Sequence, residues 1–385
     1  MKRILAHFVF PSGGRIGLLT RIYFAWKGRR NLRAESRLPD PGDFPVDFVV
    51  TWVDGNDPVW QAKKRQYEGS LDSDTKKGNS AARYRDWNMF PYWFRAVEKY
   101  APWVRYVFLV TDGQVPAWLD TGHPKLKLVT HRDYIPEQYL PVFNTNSIEL
   151  NLWRIEELSE HFVYFNDDFF LSSPTRKEDF FFKGLPRLHA VAKPIRAYRT
   201  MSTFEHHLFN NVGLFNSAFP VRNAIATHPE KWFAGCYGAS RELNRVAYRL
   251  NYLPGMFFSH LCNPYRKSSM KACAEEFSAA FDNTSSHRFR TYTDISNQVF
   301  DLWEVLHGSF APVGKSHFGF MKNIKRDTID LLEENLLRKK NLCVCLNDSD
   351  NFPPEDFPYL KERVLAAFEQ KLPDRSGFEK PPEGD

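Results

Sequence analysis

The sequence predicts an α/β fold: a mostly parallel sheet covered on both faces, with helical additions in the C-terminal half. Three observations carry this reading. Four short runs rich in β-branched and aromatic residues recur between Val46 and Asn166. Helix-like stretches separate several of them, as crossovers between parallel strands require. Beyond residue 200 the chain loses this alternation and reads as a series of helices.

The strand runs are VDFVVTWV (46–53), RYVFLVT (105–111), KLKLVT (125–130) and HFVYFN (161–166). RDWNMFPYWFRAVEKY (85–100) has helical character despite Pro91. NTNSIELNLWRIEEL (144–158) reads as one helix, with Asn146 followed by Glu149 as in a capping box. Residues 61–82 are polar and rich in Lys, Ser and Asp, which suits a mobile loop over a site. In the second half the expected helices are 239–252, 266–281, 322–337 and 355–371, with a strand-like LCVCL at 342–346. The chain therefore divides into a basic amphipathic segment and linker (1–45), an α/β core (46–200), a helical region (201–372) and a disordered tail (373–385).

Hydrophobic content of 43% and aromatic content of 16% describe a folded protein with a thick aromatic core or cleft. The net charge of +6 suits an anionic ligand or a membrane surface, and no nucleic-acid partner is expected. The first 34 residues hold eight Lys and Arg and no acidic residue. Ile16, Leu18, Leu19, Ile22, Phe24 and Trp26 lie among them, as in a helix resting on an anionic membrane. A basic helix docked on the protein body is the competing reading. The five cysteines lack the paired spacing of a zinc site and suit a reducing compartment, so a cytoplasmic location, with peripheral contact to the membrane's inner face, is expected. No signal peptide and no membrane span is expected.

In a parallel sheet, ligands bind beyond the carboxyl ends of the strands. Each of the four strand runs ends in polar residues: Asp54, Asn56 and Asp57; Asp112 and Gln114; His131 to Asp133; and Asn166, Asp167 and Asp168. The last group lies between two apolar runs, in HFVYFNDDFFLSSP. Two adjacent carboxylates against a core lose hydration and repel each other unless a cation or strong donors compensate. Oxygen ligands of this kind suit Mg²⁺ or Mn²⁺.

Four stretches then resemble the conserved regions of the Stealth family, bacterial hexose-1-phosphate transferases of capsular polysaccharide related to the lysosomal-enzyme N-acetylglucosamine-1-phosphotransferase. They are VDFVVTWVDGNDPVW; the run from RYRDWNMF through HFVYFNDDFF; HLCNPYRKSSMKACAEEFSAAFDNTSSHRFR (260–290); and NLCVCLNDSDNF (341–352). Here HLCNP stands where many members have His-x-Pro. The resemblance implies a GT-A-type nucleotide-sugar fold and transfer of a sugar 1-phosphate, as from a UDP-N-acetylhexosamine, to a glycan hydroxyl. The alternative on the same site is a glycosyltransferase that attacks the anomeric carbon and releases UDP. Carried over by position, Asp167, Asp168 and Asp348 are metal ligands, with Asp168 also catalytic. His260 is the catalytic base and Arg290 grips phosphate. Asp54, Asn56, Asp57, Arg85, Asp112, Gln114, Asn144, Asn146, Asn166 and Asn347 are expected to face substrate. One 16-residue helix from Arg266, folding back at DNTSSH (282–287), is expected to bring His260 and Arg290 together.

Overall fold

Residues 22–31, 42–69, 85–348 and 352–381 are described in the computed structural model. The remaining parts of the basic segment, the linker, the 61–82 stretch, the 341–352 stretch and the tail lie outside the described residues.

Helix α1 covers residues 22–31. Strands β1 (Val46–Thr51), β2 (Val107–Thr111), β3 (Leu126–Thr130) and β4 (His161–Asn166) form parallel pairs in the order β3–β2–β1–β4. A fifth strand from the second half, β6 (Asn263–Arg266), joins β4 antiparallel. The predicted α/β class and mostly parallel sheet therefore hold. The central strands are buried along almost their whole length, as strands covered on both faces must be.

Period-two alternation divides the core between the two faces. On one face Phe48, Val50, Leu109, Val163 and Phe165 pack with helix α3 (Phe90–Tyr100), through Phe90, Trp93, Phe94 and Val97, and with α10 (Ile329–Leu337) and α11 (Phe357–Lys371). On the other, Val49, Phe108, Val110, Phe162 and Tyr164 pack with α5 (Thr203–Ala218) and α9 (Gln298–His307). A second sheet, in the order β7 (Gly319–Asn323), β8 (Cys343–Asn347), β5 (Phe169–Leu171), stands beside the first. Only Asp167 and Asp168 separate β4 from β5, so the two acids form the step between the sheets.

Several local expectations change. The start of the 61–82 stretch belongs to helix α2 (Pro58–Glu68), which Asp57 caps by accepting from Val59 N at 2.8 Å. The 144–158 helix is short: α4 (Thr145–Leu150), then a 3₁₀ turn at Leu152–Arg154. Its cap is Asn144, which accepts from Asn146 N at 3.1 Å, so Asn146 lies inside the helix. The 239–252 helix narrows to α6 (Glu242–Leu250). The expected 266–281 helix breaks at Phe277 into α7 (Lys267–Glu276) and α8 (Ser278–Ser286), so most of DNTSSH is helical and the chain turns at His287. Residues 322 and 323 belong to β7, and α10 begins only at Ile329.

The C-terminal stretch to residue 381 is ordered, against the expectation of a disordered tail. Phe378 is buried against Phe94 and His123, and Glu379 pairs with Arg95 at 2.8 Å. One aromatic anchor and one buried ion pair outweigh the polar composition around them.

Candidate functional site at the carboxyl edge of the sheet

Parallel register aligns the strand ends: Thr51 lies opposite Val110 and Asn166, and Thr111 opposite Thr130. The loops that follow therefore share one edge. Two are braced together by Gln114. Its Nε2 donates to Asp54 O (3.1 Å) and Asp57 Oδ2 (2.8 Å), and its Oε1 accepts from Asp54 N (3.0 Å). Asp54 Oδ1 accepts from Asn56 N at 2.8 Å in an Asx turn. The bonds from Gln114 and Val59 lower the Asp57 pKa. Asp112 is held by Lys63 at 2.6 Å, beside buried His131, whose pKa burial lowers to about 4. Asp57 and Asp112 are thus taken up by a helix cap and an ion pair, and do not present free carboxylates as expected.

At the end of β4 the geometry is different. The Tyr164 hydroxyl lies 2.7 Å from Asn166 Oδ1, 2.8 Å from Glu149 Oε1 and 2.9 Å from Thr51 Oγ1. Glu149 is buried on α4, and burial raises its carboxyl to about 7, against the effects of Tyr164 and the Arg290 charge. Asp168 follows. Its Oδ2 accepts from the Cys345 thiol at 3.5 Å, while Oδ1 is buried with no hydrogen-bond partner. Burial raises Asp168 to about 8, and the neighbouring Asp167 charge adds to the rise. Asp167 keeps a solvent-facing edge, yet the protein packed around its carboxyl raises it to about 6 by desolvation.

Two antiparallel pairings bring the second half of the chain here. In the β4–β6 pair Tyr164 faces Asn263, and His260 stands three residues before β6. Its ring meets Phe169 edge-on, with centroids 4.9 Å apart. In the β5–β8 pair Phe169 faces Cys345, which sets Leu346 and Asn347 beside the two acids; Leu346 N donates to Asp168 O at 3.1 Å. Ligand atoms of Asp168, His260 and Cys345 lie within 4.8 Å of one another. Asn347 Nδ2 donates to Asn323 Oδ1 at 2.7 Å. Asp348 accepts from Trp87 Nε1 (2.8 Å) and Arg85 Nη1 (3.3 Å), and the Arg85 guanidinium lies over Phe352 and Phe357. Asp348 therefore ties the β8 end to the α3 entry, and its charge also reaches Asp168, whose carboxyl it helps to raise.

Arg290 sits on a braced loop. Before it, Phe289 stacks on Phe143 at 5.2 Å, and Phe143 N donates to Arg288 O at 2.8 Å. After it, fully buried Asp294 accepts from Asn144 Nδ2 (2.8 Å), Thr291 N (3.0 Å) and Thr291 Oγ1 (2.8 Å), and lies 2.7 Å from His287 Nδ1. Asn146 Nδ2 reaches His207 Nδ1 at 3.2 Å, and His207 Nε2 lies 2.8 Å from Thr291 O. Asn144 and Asn146 are buried inside this network and hold the Arg290 loop, a positioning role where substrate contact was expected.

Sequence reasoning missed Glu149, Tyr164, Cys345, His207, His287 and Asp294. Only Glu149 left a signal: an acid one turn after Asn146, set between Ile148 and Leu150.

The donor set at Asp167–Asp168 fits a divalent cation. A buried carboxylate oxygen without a donor is what an oxygen-seeking ion would satisfy. Cys345, raised well above the ordinary thiol range by burial and by Asp168, acts here as a donor to that carboxyl.

The chain matches known proteins over most of its length. Models of Stealth conserved regions 1, 2 and 3 match residues 44–72, 83–187 and 259–298. The chain is 37% identical over 335 residues to a capsular polysaccharide phosphotransferase, WcwK, of Streptococcus pneumoniae, covering 87% of this chain and 99% of that protein. It is 40% identical over 338 residues to the receptor polysaccharide phosphotransferase WefC of Streptococcus oralis, with the same coverage. Against the exopolysaccharide phosphotransferase cps2G of Lactiplantibacillus plantarum the figures are 38% over 350 residues, 88% and 97%. An active-site mutant of LgtC overlays 83% of the chain and 95% of its own at 10% identity and a TM-score of 0.32, too loosely to bear on the site. Regions 1 and 2 carry β1 and the Asp167–Asp168 step, region 3 carries His260 and Arg290, and relatives matched over 99% of their length are 37% and 40% identical: the chain belongs to the Stealth family of polysaccharide phosphotransferases.

Proposed function

We propose that this enzyme transfers a sugar 1-phosphate from a nucleotide sugar, in particular a UDP-N-acetylhexosamine, to a hydroxyl of an acceptor glycan in capsular or surface polysaccharide synthesis. The observation that supports this best is the convergence of His260 on the Asp167–Asp168 step, with Asp168 and His260 ligand atoms within 4.8 Å. Phosphoryl chemistry needs a base for the incoming hydroxyl beside groups that neutralise phosphate oxygens, and this edge holds both.

In this reading the acceptor oxygen attacks the phosphorus that bears the sugar. The bond from that phosphorus to the nucleoside monophosphate oxygen breaks, UMP leaves, and a phosphodiester remains. His260 takes the hydroxyl proton. Arg290 offers a planar fork to the phosphate oxygens, its loop braced by the Asp294 network and its charge felt by buried Glu149. Asp167 and Asp168 would hold Mg²⁺ or Mn²⁺, which supplies positive charge against the donor pyrophosphate when bound. Asn166 and Asn347 flank that position. Asp54, Asn56, Gln114 and Arg85 shape the walls.

Among the described residues no helix is long and apolar enough to cross a membrane. All five cysteines are free, which supports a reducing, cytoplasmic setting. Identification of the nucleotide released from UDP-sugars with acceptor tests the reaction. UMP with a phosphodiester product is expected; UDP with a phosphorus-free glycoside overturns it in favour of attack at the anomeric carbon.

A further inference from the structure

Helix α1 is docked, and docking sorts its residues into two faces. Inward, Phe24 is buried between Phe233 and Tyr248, with centroids at 5.3 and 5.1 Å. Lys27 donates to Ala226 O, and Asn31 Nδ2 to Glu230 Oε2 at 2.8 Å and Thr227 O at 3.0 Å. Buried Gly28 lets the helix backbone run against Glu230. These positions, 24, 27, 28 and 31, form one helical stripe. The opposite stripe carries Ile22, Tyr23 and Trp26, which are 57%, 50% and 58% exposed, followed by exposed Arg29 and Arg30. The Arg30 guanidinium lies 5.9 Å from the Trp26 ring. Nearby, α6, whose Tyr248 receives Phe24, ends at exposed Leu250 and Tyr252.

We infer that this outward face of α1 is a docking surface for an anionic phospholipid bilayer. Bulky apolar side chains exposed to this degree on a firmly anchored helix mark an interaction surface. Tyr and Trp with an arginine rim are suited to the headgroup boundary, where the rings enter the interface and the guanidinium groups meet phosphate. The charge pattern selects the occupant. Residues 22–31 hold three cations and no acid. An isologous contact with a second copy would set Arg29 and Arg30 against their own counterparts, whereas an anionic leaflet complements them. The basic helix docked on the body and the membrane-facing helix are thus two faces of one element.

Co-sedimentation of the full chain with phosphatidylcholine vesicles, with and without about one third phosphatidylglycerol, tests this. Binding to the anionic vesicles at low salt is expected, with little to the neutral ones. Replacing Ile22, Tyr23 and Trp26 together by Ser should weaken it about tenfold, as should R29S with R30S, while the thermal midpoint stays unchanged because the anchoring residues Phe24, Lys27, Gly28 and Asn31 are kept. The single variant W26S serves as the folded control should the triple variant melt early, and should weaken binding about threefold. Wild-type protein that ignores anionic vesicles at low salt overturns the inference. So do folded variants that bind as wild type does, or light scattering that shows a dimer which the triple substitution dissolves, without vesicle binding.

Discussion

The two edges of the five-stranded sheet each bury a carboxylate, and they treat it oppositely. At the amino edge Asp47 is fully buried and fully met. Arg105 grips it bidentately at 2.8 and 2.5 Å, and the backbone N–H groups of Tyr106 and Ser159 donate at 3.2 and 2.8 Å. At the carboxyl edge Asp168 has a thiol at 3.5 Å on one oxygen, nothing on the other, and a second acid beside it. One sheet can supply donors to a buried acid when the acid is there for folding. Asp168 is left unmet at the edge where the strand-end loops gather, and a bound cation is the partner we propose for it. The difference is between an acid inside a strand, met by the fold, and an acid just past a strand end, which the fold leaves open.

The sharpest test of that contrast is to delete each acid. Asp168→Ala should abolish turnover while the thermal midpoint holds or rises, because one of two repelling carboxylates is removed. Asp47→Ala should do the reverse: about 3 kcal/mol of stability lost, from stranding donors in the core, with kcat near normal in the surviving folded protein. A large loss of stability from Asp168→Ala would erase the distinction.

Next in size come the groups that flank the acids. His260→Ala should lower kcat by about 10²–10⁴-fold with little change in donor affinity, the usual contribution of a positioned base. Arg290→Lys should fail by a similar factor, since a point charge cannot reproduce the guanidinium fork. Near-normal rates for His260→Ala across the pH profile would remove the histidine from the mechanism.

The pH response should also differ between the edges. A carboxyl whose pKa is higher folded than unfolded favours the fold below its unfolded value, about 4, and loses that contribution as pH rises through the folded value. Asp167, near 6, Glu149, near 7, and Asp168, near 8, all have this sign. Metal-free protein should therefore melt several degrees lower at pH 8 than at pH 5, and Mn²⁺ or Mg²⁺ should recover most of the difference at pH 8. A flat melting profile in the metal-free protein would show that these acids are solvated after all.

The smallest effect is expected at Asp57, a loop acid of the carboxyl edge that the structure assigns to folding. Asp57→Ala should cost about 1 kcal/mol through loss of the α2 cap, with kcat within a few-fold of wild type.

What the sequence made legible followed from local pattern. Continuous β-branched and aromatic runs identify central parallel strands, and the polar residues after each run then fall on one edge. Asn166, Asp167 and Asp168 could be singled out because carboxylates inside an apolar run have no local reason to be there. The strand-like LCVCL run is β8, but β6 and β7 were not legible, being four or five residues long and stabilised by a partner about a hundred residues away or by β8. The Asn144–Asp294–His287 network was illegible for a similar reason. An Asn before a helix looks the same whether its amide meets substrate or a buried Asp 150 positions later. The tail misled because composition averages over residues, whereas Phe378 and Glu379 act singly.

The step from β4 to β5 has a mechanical consequence. Two residues join one sheet to the other, and they are the acids themselves. A cation bound there would rivet the sheets at their shared joint, so donor binding would be felt as stiffness across both halves of the molecule. The same brevity forbids slack: one residue inserted between Asn166 and Phe169 would reverse every side chain of β5 relative to β8, and the core would have to be rebuilt around it.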